Sequence, residues 1–132
     1  MFKFLFIILF FLTNVSISIL KADQLKLSNE AVNSFFRYIS SDRKQVDKFL
    51  VTKDGSSTFT WACPQTLCFP ASKIFYTKPC SKLKNKACII FASGRKVKLT
   101  NRKKSAEHLR SFKQNETLEE VRSKLKALGF VN

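Results

Sequence analysis

The N-terminal segment constrains the fold of this chain most, because it separates an apolar leader from the part that folds. Lys3 precedes an uncharged apolar run of nine residues, and small polar residues then lead to the next charge at Lys21. A basic start, an apolar stretch and a small-residue exit are typical of a secretory signal peptide. We therefore predict a signal peptide at 1–22 and a single mature domain at 23–132, secreted or periplasmic.

Two cleavage points are compatible with this leader, one after Ser18 and one after Ala22. We prefer Ala22, because an ordinary polar segment begins after it. The alternative is an uncleaved anchor, since Phe4 to Leu20 is near the lower limit of the ~17–25 residues that a membrane-spanning helix needs. Polar residues in the second half of that segment weaken this alternative, and we expect no transmembrane segment after cleavage.

Four cysteines favour a disulfide-bonded fold for the exported domain. They are Cys63, Cys68, Cys80 and Cys88. Their even number fits bridging, and of the three possible connectivities we favour the pairing of sequence neighbours. Two disulfides would each stabilise a small domain by roughly 2–4 kcal/mol. The spacing does not repeat the close pairs of a zinc ribbon, so we predict no metal site and no cofactor.

Positive charge is concentrated in the middle of the chain. The sequence has 24 lysines and arginines against 9 acidic residues, and removal of Lys3 and Lys21 leaves 22 against 9, a net charge of +13. Between Asp54 and Glu107 there are eleven cationic residues and no carboxylate. A field of this size attracts anionic partners, although a lysine-rich surface that serves only solubility would have the same composition.

Residues 23–100 predict a disulfide-containing α+β core that begins with a helix and a β-hairpin. Apolar residues recur at three- and four-residue spacing within 23–40 and predict a helix with Ser28 as its N-cap. An apolar strand, the turn signal Asp54-Gly55 and a returning strand of alternating aromatic residues and threonines then predict the first hairpin.

A disulfide-tied crossover and a second β-hairpin complete the predicted core. The crossover contains a short helix over 71–78, which Pro79 is expected to end, and a basic loop over 82–86. The apolar run 87–92 predicts a central strand of an antiparallel sheet. The strand after it alternates lysines with apolar residues and is expected to reach Thr100.

Residues 101–132 predict a C-terminal helical segment whose last helix packs on the sheet. After a charged linker, a helix is predicted over 105–112. The next helix, over 118–128, is better marked, because Thr117 and Glu120 form a capping box and an apolar stripe follows them.

A basic surface is the strongest candidate site in the sequence. The alternation in the last predicted strand exposes lysines on one face, and the basic loop of the crossover adds others. The candidate anion-binding residues are Lys82, Lys84, Lys86, Lys96, Lys98 and Lys103. The expected partner is an anionic envelope polymer, lipid head groups or an acidic protein. Nucleic acid is not expected, since the chain is exported and the nearby Phe75, Tyr76 and Phe91 are expected in the core.

No catalytic motif rises above background, so we do not expect an enzyme. His108 is the only histidine, and it stands in a charged segment where a surface residue is expected. The cysteines should be bridged, and no glycine-rich phosphate loop is present. The first hypothesis is a non-enzymatic periplasmic binding or accessory module. The alternatives are an inhibitor or accessory subunit that docks on one protein partner, and a minor hydrolase that would lose activity in His108→Ala.

The stretch from Phe49 to Asn101 resembles small secreted proteins of alphaproteobacteria that have four cysteines and no characterised function. The matching residues are Asp54-Gly55, Trp61 before Cys63-Pro64, Cys68, Cys80, Cys88-Ile89-Ile90-Phe91-Ala92 and Arg95, about half of the mature chain. Such proteins tend to have a continuous helix before the third cysteine, where this chain has Pro79. The resemblance implies a bacterial periplasmic setting and bridged cysteines, and it implies no activity or cofactor.

Overall fold

A computed structural model describes residues 24–64, 68, 71–101 and 107–132 of the chain. Its elements are α1 (Asn29–Ser40), β1 (Lys48–Thr52), β2 (Thr58–Trp61), α2 (Lys73–Lys84), β3 (Cys88–Ser93), β4 (Lys96–Val97), a 3₁₀ turn (Glu107–Arg110) and α3 (Leu118–Ala127). The strands form one antiparallel sheet in the order β2-β1-β3-β4. The predicted α+β class is confirmed. The predicted signal peptide and Lys103 lie outside the described residues.

One face of the sheet packs against α1 and α3. The N-cap of α1 is Ser28, as predicted, and its hydroxyl oxygen accepts a hydrogen bond from the N–H of Ala31 at 3.1 Å. Such a cap satisfies one of the free donors at a helix start. From the middle of α1, the Phe35 ring lies 5.2 Å from Phe49 of β1 and 5.3 Å from Phe91 of β3. These aromatic contacts join the helix to the two central strands.

α3 closes this core and confirms the predicted capping box. The Thr117 hydroxyl accepts a hydrogen bond from the N–H of Glu120, and the Glu120 carboxylate accepts one from the N–H of Thr117. The chain then passes through Gly129 at a φ of 86° and turns back. Phe130 is fully buried as a result, with its ring 4.8 Å from Phe91.

The first hairpin forms as predicted, with a loop over 53–57. β1 and β2 pair so that Val51 lies opposite Thr58. Gly55 has a φ of 73°, and a Cβ at this position would clash with the backbone carbonyl of Lys26. Glycine is therefore required for this loop to pack against the segment that leads into α1.

The second hairpin forms too, but β4 is shorter than predicted. Ser93 pairs with Lys96 across a two-residue turn. Ala92 pairs with Val97, and the N–H of Lys98 still donates to the carbonyl of Phe91 at 2.8 Å. The carbonyls of Val97 and Lys98 accept hydrogen bonds from the Arg110 guanidinium, at 2.9 and 3.0 Å. The strand itself ends at Val97 and does not reach Thr100.

The prediction that Pro79 ends the crossover helix is wrong, because α2 runs through it. Proline has no N–H to donate to the carbonyl four residues earlier, which weakens a helix. Tertiary contacts hold the helix on both sides of it, since Tyr76 and Cys80 are buried against the sheet and Cys80 is bonded to Cys88. The predicted basic loop is consequently helical as far as Lys84.

The helix predicted over 105–112 is also wrong in the part that is described. Only the short 3₁₀ turn Glu107–Arg110 forms there, and Ser111 makes an isolated antiparallel bridge with Lys96. Phe112 is buried, with its ring 5.2 Å from Phe35. An extended chain at Ser111 lets Phe112 reach the core.

Candidate functional site

The cysteines pair as sequence neighbours, which was the connectivity we favoured. Cys63 is bonded to Cys68 and Cys80 to Cys88, with Cα atoms 6.0 and 6.1 Å apart. Disulfides persist in oxidising compartments, so both bonds are compatible with an extracellular or periplasmic protein. The bond between Cys80 and Cys88 ties α2 to β3 and so fixes the helix on the face of the sheet opposite α1 and α3.

α2 rests on the sheet through a small aromatic cluster. Tyr76 and Cys80 are buried against Leu50 of β1 and the disulfide partner in β3. The Trp61 ring lies 4.9 Å from Tyr76 and 5.9 Å from Phe75. Tyr76 and Cys80 lie on the inner side of the helix, and Phe75 contacts the edge of the cluster while it stays half-exposed, so the outer side of α2 is left to the solvent.

The outer side of α2 carries large apolar side chains that stay mostly exposed in the described chain. Ile74 is 69% exposed, Phe75 is 54% exposed and Leu83 is 68% exposed. Residues four apart lie on the same side of an α-helix, so Phe75, Pro79 and Leu83 form one apolar stripe along its length. The prediction that Phe75 lies in the core is wrong, because the inner side of the helix is taken by Tyr76.

Lysines form the neighbouring stripe of the same helix. Ile74, Lys78 and Lys82 follow each other at four-residue spacing, and all three are exposed. Together with Phe75 and Pro79 they line a shallow depression of about 430 Å³. The residues exposed on the outer side of α2 are Lys73, Ile74, Phe75, Lys78, Pro79, Lys82 and Leu83.

Lys98 lies on the same side of the sheet as α2. Val97 is buried in the core beneath α1 and α3, and alternate strand residues point to opposite faces, so Lys96 and Lys98 point the other way. Lys48 of β1 connects this edge to the helix, since its ammonium lies 5.3 Å from the Tyr76 ring. Burial and the nearby charge of Lys98 lower the pKa of Lys48.

Two of the predicted anion-binding lysines are used in ion pairs. Lys86 lies 2.8 Å from the Asp54 carboxylate, and Lys96 pairs with Glu107. The hydrogen bond from Lys86 contributes most to holding the pKa of Asp54 well below its usual value. Hydrogen bonding and charge from Lys96 likewise lower the pKa of Glu107. These two cations are therefore partly neutralised.

The other predicted lysines differ in their surroundings. Lys82 and Lys98 are exposed, and no carboxylate of the described chain pairs with them. Lys84 is half-buried in a depression that it shares with Glu30 and Ser56, away from the outer side of α2. Of the predicted set, the structure thus brings Lys82 and Lys98 to one side of the molecule as cations without a carboxylate partner.

A second basic depression, of about 500 Å³, lies beside Lys96 and Lys98. Its arginines have structural roles. Arg95 donates to two carbonyls at the end of α1, at 2.9 and 2.7 Å, and Arg43 donates to the carbonyl of Tyr38 at 3.1 Å. Because these guanidinium groups are already engaged, the depression has fewer free donors for an anion than its composition suggests.

Asp47 is a buried carboxylate that the sequence did not single out as structural. One of its oxygens accepts a hydrogen bond from the N–H of Cys63 at 2.9 Å, and the other accepts one from the N–H of Lys44 at 3.1 Å. These bonds hold the loop after α1 against the start of the disulfide segment. No short-range pattern marks this role, because Asp47 and Cys63 are far apart in the chain.

Nothing in the described residues assembles into a recognisable catalytic or metal centre. His108 is exposed on the 3₁₀ turn, and no group of three potential metal ligands occurs among the residues that the structure describes. Within the same residues, no helix is both long enough and apolar enough to cross a membrane.

Comparisons with protein-family models, with curated proteins and with solved structures found no match to this chain.

Proposed function

We propose that this protein is an exported, non-enzymatic binding or accessory module that attaches to an anionic component of the bacterial envelope. The observation that carries the proposal is the cationic side of the molecule formed by α2 and the adjoining strand edge, where Lys78, Lys82 and Lys98 are exposed with no carboxylate partner among the described residues. The apolar leader supports export, and the two disulfides are compatible with it.

Charge favours an anionic partner over a neutral one. The mature chain would have 22 cations against 9 acidic residues, and none of those acids lies between Asp54 and Glu107. A surface of one sign raises the local concentration of opposite charge and speeds encounter. The lysine side chains are flexible point charges, which suits a polymer or a layer of head groups better than one small anion of defined shape.

A second candidate function is docking on a single protein partner. The exposed Ile74, Phe75 and Leu83 favour it, because apolar side chains grouped on a surface mark contact sites. This partner would be acidic to match the lysines beside them. Stoichiometric co-purification of one protein, with little effect of salt, would support this candidate.

The first experiment measures binding of the protein to isolated envelope fragments as salt is raised from ~20 mM to ~500 mM, which shortens the Debye length from roughly 20 Å to about 4 Å. The proposal predicts a steep loss of affinity over this range. Affinity that stays constant would rule out attachment through the lysines.

Matched variants locate the binding surface. Lys82→Gln with Lys98→Gln removes two exposed charges on the α2 side, and Lys113→Gln with Lys126→Gln removes two exposed charges elsewhere. At low salt we expect the first pair to weaken binding about tenfold or more, since a lysine near an anionic surface contributes about 1 kcal/mol. The second pair is expected to bind nearly as well as the wild type. Equal losses in the two pairs would contradict a localised site.

A further inference from the structure

We infer that α2 docks on the surface of an anionic lipid bilayer, with its apolar stripe inserted among the lipids and its lysines at the head groups. This inference rests on the proposed function and names the partner class of the same surface. On this one helix, a stripe of Phe75, Pro79 and Leu83 lies beside a stripe of Ile74, Lys78 and Lys82.

Helices that lie in a membrane interface combine phenylalanine and leucine on one side with lysine on the other. α2 has these residue types in two adjacent stripes on its outer side, and its Ile74 and Leu83 expose more than two thirds of their surface. The helix has 12 residues and is about 18 Å long. Lys98 on the neighbouring strand edge adds a further cation on the same side.

The lysines of α2 disfavour a protein partner for this helix. The buried centre of a protein interface is enriched in tyrosine, tryptophan and arginine and is depleted in lysine, whereas every cation of α2 is lysine. In a protein interface Lys78 and Lys82 would lose water unless carboxylates met them. In a head-group layer they keep their hydration while the apolar stripe enters the lipid.

A second copy of the chain is disfavoured by charge. Lys73, Lys78 and Lys82 would face the same lysines of the other copy, and the helix has no acidic residue to meet them. The facing charges would repel each other at the centre of the contact. An anionic bilayer matches both the charge and the apolar stripe.

The test uses the exported protein with vesicles of equimolar phosphatidylglycerol and phosphatidylcholine, with vesicles of phosphatidylcholine alone, and with polyphosphate as an anion that has no apolar layer. Ile74→Ser with Leu83→Ser removes the two most exposed of the large apolar side chains on α2. This variant is expected to bind the anionic vesicles about tenfold more weakly and to bind polyphosphate as the wild type does. Thermal unfolding checks that it is folded.

Insertion is tested separately with a reporter on the helix. Leu83→Trp places an indole on the apolar stripe, and Lys126→Trp places one on an exposed position of α3. With anionic vesicles whose acyl chains carry bromine, the emission of Leu83→Trp should shift to shorter wavelength and be quenched beyond that of the native Trp61. The emission of Lys126→Trp should change no more than that of the wild type.

Each result separates lipid insertion from charge attraction. Vesicle binding that depends on the lysines, with no effect of the serine changes and no quenching, would overturn insertion and leave the proposed function standing. If the protein still binds envelope fragments after their lipids have been extracted, the inference of a lipid partner is overturned and a polymer or a protein is favoured. Absence of salt-dependent binding to vesicles, polyphosphate and envelope fragments would overturn the inference together with the proposed function.

Discussion

At the scale of single residues, Asp54 shows how the few carboxylates of this basic protein are used. Its carboxylate accepts hydrogen bonds from the Lys86 ammonium at 2.8 Å, the Thr52 hydroxyl at 2.6 Å and the N–H of Ser56 at 3.0 Å. The interaction with Lys86 joins the first hairpin loop to the segment after α2, across 32 positions in the sequence. Asp54 therefore has a role in tertiary structure as well as in the turn.

This arrangement predicts an acid-sensitive contact. The pKa of Asp54 is lower in the folded chain than its ordinary value of 3.8, so its contribution to stability is present above about pH 4 and is lost as the pH falls toward the folded value. A carboxyl-carbon NMR titration should give Asp54 a midpoint below 3.8. Lys86→Gln should raise this midpoint, because it removes the interaction that lowers the pKa of Asp54 most.

The control for this titration is Lys53→Gln, which removes an exposed lysine that makes no ion pair with Asp54. It should leave the midpoint close to that of the wild type. A wild-type midpoint at or above 3.8, or equal shifts in the two variants, would contradict the role given to Lys86.

At the scale of elements, α2 is the helix on which the proposed site depends, and Pro79 is its weak point. Proline inside a helix loses one backbone hydrogen bond. Here Tyr76 on one side and the disulfide at Cys80 on the other keep the helix on the sheet. The helix is therefore held by its contacts more than by its own propensity.

Pro79→Ala should stabilise the protein, because the substituted residue has an N–H that can donate to the carbonyl of Phe75. Alanine is about 3 kcal/mol more favourable than proline in a helix interior, and the freer unfolded chain takes back up to about 1 kcal/mol, so we expect a gain of about 2 kcal/mol. The free energy of unfolding is measured by urea denaturation. The control Lys82→Ala, an exposed change in the same helix, should change stability much less, and an unchanged or lower stability of Pro79→Ala would contradict this reading of α2.

The elements that the sequence predicts well are those with local signals. The N-cap Ser28 and the capping box at Thr117 act within a few residues, and the turn signal at Gly55 is local too, although its packing on Lys26 is not. All three lie where they were predicted. α2 and the segment over 105–112 were predicted wrongly because contacts distant in sequence decide them. The disulfide between Cys80 and Cys88 holds α2 on the sheet beyond Pro79. In the second segment the chain is extended at Ser111, so that Phe112 reaches the core.

The residues of the candidate site were likewise predictable only where their signals are local. Lys82 and Lys98 could be predicted from composition and strand alternation, because both signals are local. The ion pairs of Lys86 and Lys96 could not be predicted from local signals, since their partners lie in the hairpin loop and the 3₁₀ turn. The exposure of Leu83 could not be predicted either, because one apolar residue in a basic segment does not indicate which side of a helix packs on the sheet.

At the scale of the whole molecule, the sheet separates two different surfaces. α1 and α3 cover one face and carry most of the aromatic core. α2 covers the other face with a smaller cluster, and its outer side combines exposed lysines with exposed apolar groups. We propose that the surface on the α2 side is the one that meets the anionic envelope.

Lysine footprinting tests this claim most directly. The protein, free and bound to envelope fragments, is treated with an amine-acylating reagent, and the extent of modification of each lysine is read by mass spectrometry. Binding should protect Lys78, Lys82 and Lys98, while Lys113 and Lys126 should react as in the free protein. Equal protection of all five lysines, or protection confined to Lys113 and Lys126, would contradict this claim.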